Sequence, residues 1–125
     1  MNNYIDEIIE RLSLVISHLN GILLYNIDEH TIDRLGSAIY EINSFRSRNN
    51  NWIIHFDGLD ERLYILSHKL EEIVCGKWDY KNDSHQDSIR ELLIHTKEYA
   101  IHIRQEYESY QQEKEKTISL SDIII

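Results

Sequence analysis
The chain has no proline, one cysteine, four glycines and, in 125 residues, only two alanines, Ala38 and Ala100. Without proline there is no residue that forces a helix to stop, so long helices with short connections are favoured. The lone Cys75 excludes an internal disulfide and any cysteine-rich zinc site, and it suits a reducing compartment. No apolar run reaches the ~18 residues of a membrane-spanning helix. The opening segment, Met1 to Leu12, is acidic and lacks the basic-then-apolar layout of a secretory signal. Bases are scarce: Lys and Arg total 13 against 22 Asp and Glu, a net charge of -9 and a pI near 5.1. Phosphate contacts come from Lys and Arg, so this balance argues against direct nucleic-acid binding and against docking on an anionic membrane. The expectation is one reduced, cytoplasmic domain, long enough to build an ordinary core and without a cofactor.

What is present is helical periodicity. Ile5, Ile8, Ile9, Leu12, Val15, Ile16, Leu19 and Leu23 recur at i, i+3, i+4 and i+7, predicting a first helix from about Asn3 to Tyr25. Asp28 is a good N-cap for a second helix with Ile32, Leu35, Ile39, Ile42 and Phe45 inward, and small Gly36 and Ala38 suit a close helix approach. Arg46 to Asn51 reads as a loop, and Trp52 to Phe56 as a buried connection that plugs the bundle end. Asp57 is the expected cap of a third helix with Leu59, Leu63, Leu66, Leu70, Ile73 and Val74 inward, closed by Gly76 at C′. Ser84 to Asp87 resembles a capping box for a long fourth helix, which carries Ile89, Leu92, Leu93, Thr96, Ala100, Ile103, Tyr107 and Tyr110 on one side. The pattern turns polar after Gln111. The reading is all-α: an up-down-up-down four-helix bundle over residues 1–116 with a flexible C-terminal tail over 117–125.

That topology places the Asn26–Asp28 turn and the Lys77–Asp83 loop at one end, and the Arg46–Phe56 connection at the other. Residues 1–30 hold five acids and one base, while residues 31–56 hold two acids and three bases. The acidity therefore covers most of the molecule, but the Arg46/Arg48 end escapes it.

No motif for catalysis stands out. His95 and His102 share a helix face, with Glu91 and Glu98 four residues before each, but Ile94 and Ile101 occupy the positions that a Glu-x-x-His metal pair requires. No metal site is expected. Cys75 falls at a helix C-terminus, where the helix dipole disfavours a thiolate nucleophile. Neither a G-x-S-x-G elbow nor a glycine-rich phosphate loop is present. One segment, Arg48-Asn49-Asn50-Asn51-Trp52-Ile53-Ile54-His55, resembles the Arg/His signature of HEPN-type helical ribonucleases. The resemblance implies a phosphate-binding Arg48 and an acid/base His55 meeting across a dimer. An asparagine run and Gly58 stand where a continuous helix is wanted.

The third helix gives a different signal. Glu61, Tyr64, His68, Glu71 and Glu72 fall on its outward side and lead into Trp78-Asp79-Tyr80. Aromatic rings beside carboxylates suit a protein docking surface, where the ring supplies desolvated area and the charge supplies specificity and fast encounter. The same residues also fit a solvated helix face with a tryptophan tucked onto the core. Ile94 and Ile101 form a second outward patch. In size, charge, helicity and Ile/Asn-rich composition the chain resembles the small acidic immunity proteins of bacterial toxin–immunity pairs, of contact-dependent inhibition or bacteriocin type. The resemblance implies no enzyme but a stoichiometric inhibitor that covers the substrate cleft of a basic toxin, a nuclease by preference. The docking residues expected from the helix face and its loop are Glu61, Tyr64, Glu71, Glu72, Trp78, Asp79 and Tyr80, on a monomer or weak dimer. A phage-encoded inhibitor of a nucleic-acid-binding defence complex uses the same chemistry on another partner.

Overall fold
The computed structural model describes the backbone of residues 4–124 and the side chains of residues 4–112. Five helices make up the described chain: α1 (Tyr4–Leu23), α2 (Glu29–Arg48), α3 (Asn50–Ile53), α4 (Leu59–Val74) and α5 (Asp83–Ile124). The described residues contain no strand. The four long helices form a closed ring in which α1 packs on α2 and α5, and α4 packs on α2 and α5.

Named contacts give the directions. Asp6, Ser13 and the Leu23 carbonyl of α1 meet Gln111, Arg104 and Arg90 of α5, so the two helices run oppositely. Arg62–Glu106 at 2.6 Å and Lys69 over the Tyr99 ring at 5.5 Å oppose α4 to α5 in the same way. Arg46 forks onto Asp60 at 2.9 and 3.2 Å and ties α2 to α4. The core is aliphatic through its middle, with Leu12, Leu19, Leu35, Ile42, Leu66, Leu70 and Leu93 each almost fully buried. At one end it becomes aromatic: Trp52 stacks on Tyr4 with centroids 4.3 Å apart and meets Phe45 and Phe56 edge-on.

The cap at Asp28 forms as expected. Its carboxylate accepts from the Thr31 N–H at 3.1 Å, and the Thr31 hydroxyl accepts from the Asp28 N–H at 3.0 Å. Other boundaries differ from the sequence reading. The helix runs through Arg46 to Arg48 where a loop is expected, because Asn49 closes it. The Asn49 amide N–H₂ bonds the Phe45 carbonyl at 2.9 Å, and its side-chain oxygen accepts from the Trp52 indole at 3.0 Å. That pair of bonds folds the asparagine run into one helical turn and buries Trp52 and Ile53 as the plug, leaving Ile54 and His55 exposed. Gly58, not Asp57, precedes α4; its φ of 74° is left-handed, where a β-carbon is strained. Asn82, not Ser84, caps α5, accepting from the Ser84 and His85 N–H groups. Gly36 faces open space and makes no close helix contact. Leu92 and Tyr110 of the α5 stripe are 41% and 47% exposed. Helical backbone continues through Ile124, where a tail is expected from residue 117; the side chains of that segment lie outside the described residues.

α1 has no basic residue in its last turn, so its C-terminal carbonyls need a partner from elsewhere. Arg90 of α5 provides it, donating to Leu23 O at 2.9 Å and Tyr25 O at 2.6 Å. Arg90→Ala is expected to cost about 1–2 kcal/mol by stranding both carbonyls, read as a lower urea midpoint at unchanged slope. Arg90→Lys recovers only part of the loss, since an ammonium lacks the planar fork.

Acid sensitivity follows from two carboxylates. Hydrogen bonding from Thr31 holds Asp28 below its ordinary 3.8, and hydrogen bonding from Arg46 does the same for Asp60. Their contribution is complete above the unfolded carboxylate range and disappears as the pH falls through the lower folded values. Asp28→Asn keeps a capping oxygen and removes one titration. The expected outcome is a shallower decline of the urea midpoint between pH 5 and pH 2 than in the parent chain.

Candidate functional site
The outward face of α4 is built by helical spacing. Leu59, Leu63, Leu66, Leu70 and Ile73 are buried on one side, so Glu61, Tyr64, His68, Glu71 and Glu72 are exposed on the other. Tyr64 is 53% exposed and stacks on His68, with ring planes 9° apart and centroids 6.0 Å apart. The imidazole in turn reaches Glu72 at 3.2 Å through Nε2 and Glu71 at 4.0 Å through Nδ1. The Tyr64 ring also lies 5.4 Å from the Arg46 guanidinium, which Asp60 holds. The exposed aromatic ring therefore has an imidazole and a guanidinium beside it before any partner arrives.

Trp78 and Tyr80 are placed differently from the α4 residues. Both are half-buried and pack on the core. Trp78 donates its indole N–H to the Ile73 carbonyl at 2.8 Å and so caps the end of α4. Gly76 makes this possible: a β-carbon there would lie 2.6 Å from the indole Cε2. Its role is clearance for the ring, whereas the expected C′ role rests on a left-handed φ, which among the described glycines occurs only at Gly58. Burial, with the charges of Glu29 and Asp33 nearby, pushes the Tyr80 phenol up. Asp79 is exposed; its N–H donates to His85 Nδ1 at 2.9 Å, and its carboxylate accepts from the Lys81 N–H at 3.1 Å. The structure thus brings Glu61, Tyr64, Glu71 and Glu72 together on one exposed face. It sets Trp78 and Tyr80 beside the end of α4 as half-buried packing residues.

The other sequence candidates are scattered. Arg48 and His55 line separate hollows: Arg48 beside Glu7, Glu10 and Asn49, and His55 beside Phe56, Asp57 and Tyr110. The Arg48 Nε donates to the Ser44 carbonyl at 3.4 Å. His95 sits between Glu91 and Glu98 at 3.8 and 3.9 Å on an exposed face. Among the described residues no group of three His, Cys, Asp or Glu side chains is placed to hold a metal ion, and no helix is long and apolar enough to cross a membrane. Cys75 is a free, exposed thiol. Ile94 is 41% exposed, while Ile101 packs against the core. The sequence reading missed a hollow between α1 and α2 around Arg34, because its residues come from two helices and share no spacing. No protein-family model, no curated protein and no solved structure matches this chain.

Proposed function
We propose that this chain is an inhibitor of immunity-protein type, which neutralises a basic toxin, a nuclease by preference, by laying the α4 face over its substrate cleft. It acts in the cytoplasm as a monomer or weak dimer, without chemistry of its own, on an up-down-up-down four-helix bundle. The opposed contact pairs between helices support that topology. The observation that carries the reading is the exposed Tyr64–His68 stack among Glu61, Glu71 and Glu72. An aromatic ring that already has neighbours on its own surface loses less side-chain entropy on docking than a free one. Carboxylates around it attract a cationic groove and reject anionic surfaces. A cleft that binds a nucleic-acid backbone has the complementary charge.

The test begins with the tagged chain as bait in the source cell. A captured protein that is basic, toxic when expressed alone and harmless when co-expressed with this chain supports the reading. A purified chain that cleaves RNA unaided, with the activity lost in Arg48→Ala or His55→Ala, overturns it in favour of the ribonuclease. A captured nucleic-acid-binding defence complex, rather than a toxin, moves the same docking chemistry to a phage-encoded inhibitor.

A further inference from the structure
Six of the seven arginines have a partner on the guanidinium: Glu41 for Arg11, Asp60 for Arg46, the Ser44 carbonyl for Arg48, Glu106 for Arg62, the α1 carbonyls for Arg90, and Ser13 and Glu108 for Arg104. Among the described residues Arg34 has none. That is unexpected on a chain where acids outnumber bases 22 to 13. Arg34 lines a hollow of about 400 Å³ between α1 and α2, together with Ser17, His18, Tyr25, Ser37 and the buried Ile22. No carboxylate lines this hollow. Asp28 borders the adjoining one, where its carboxylate is already engaged by the Thr31 cap. Gly21 also lines the hollow, and a β-carbon there would meet nothing within 4 Å, so there is open space above it.

We infer that this hollow is a binding site for a small phosphate monoester attached to an aromatic ring, the chemistry of a nucleoside monophosphate. The guanidinium offers a planar fork that matches two phosphate oxygens. The His18 imidazole and the Ser17 and Ser37 hydroxyls are further donors for the remaining oxygens. Tyr25 is 65% exposed and offers a ring face for the base. The volume falls within the range of small-molecule sites. The site lies on α1 and α2 and uses none of the α4 residues, so it stands or falls independently of the proposed docking.

The experiment is calorimetric titration of the full chain with AMP, inorganic phosphate and adenosine in separate runs. Saturable AMP binding, displaced by inorganic phosphate and at least about tenfold tighter than adenosine, is the expected result. Arg34→Ala is expected to weaken AMP about tenfold or more, with Arg34→Lys intermediate. Gly21→Leu fills the hollow and abolishes binding, while circular dichroism shows the helices retained. The inference is overturned by adenosine binding as tightly as AMP, by full affinity in Arg34→Ala, or by no heat from AMP at concentrations up to about 5 mM.

Discussion

Trp78→Ala is expected to destabilise the fold by about 2–3 kcal/mol. Full burial of a tryptophan is worth about 3–5 kcal/mol on truncation, and Trp78 is only half-buried. To that reduced packing loss is added the Ile73 carbonyl, left without the indole N–H that reaches it at 2.8 Å. For a domain of this size the change lowers the melting temperature by about 10 °C. Gly76→Val approaches the same event from the other side: its β-carbon overlaps the indole and forces the ring off the end of α4. The two losses are therefore expected to be non-additive, the double variant being little worse than either single one. Urea unfolding of the three variants measures this. Unchanged midpoints in both single variants would show that the indole is not part of the fold, and would return Trp78 to the set of exposed anchors. If the midpoints fall, partner binding by Trp78→Ala has to be measured where the variant is fully folded, since a stability defect otherwise imitates a lost contact.

Reversing three charges on α4, Glu61→Lys with Glu71→Lys and Glu72→Lys, is expected to slow association with the captured basic partner by about 10–100-fold at low salt. All three carboxylates are exposed, so the variant keeps its fold and its unfolding midpoint moves little. The difference between parent and variant shrinks as salt is added, because the Debye length falls to about 8 Å at physiological ionic strength. Tyr64→Ala separates the two contributions. It removes the aromatic anchor without touching charge, so its loss appears in dissociation, about 2 kcal/mol if Tyr64 is a hot spot. Surface plasmon resonance across a salt series reads both rates. A triple variant that associates at the parent rate would place the docking surface elsewhere on the molecule.

The sequence by itself determined the all-helical class, because an apolar stripe at a 3.6-residue period can be buried only on a helix. It also determined the Asp28 cap, a purely local pattern, and the outward face of α4, which follows once Leu59, Leu63, Leu66, Leu70 and Ile73 turn inward. Tertiary structure decided what depends on groups distant in sequence or on side-chain reach. Asn49 turned an apparent loop into a helix end by holding the Phe45 carbonyl and the Trp52 indole together. Arg90 closes α1 from 65 and 67 residues away, which no local rule can foresee. Trp78 fitted both an exposed anchor and a ring tucked onto the core until its N–H was seen to reach back to Ile73 over a glycine that leaves room for the ring. Arg34 carries no signal in its own neighbourhood and becomes notable only because six other arginines found partners and, among the described residues, it did not. Period and capping are written within one turn of chain, whereas the sharing of donors, acceptors and charge among helices is settled only when they are brought together.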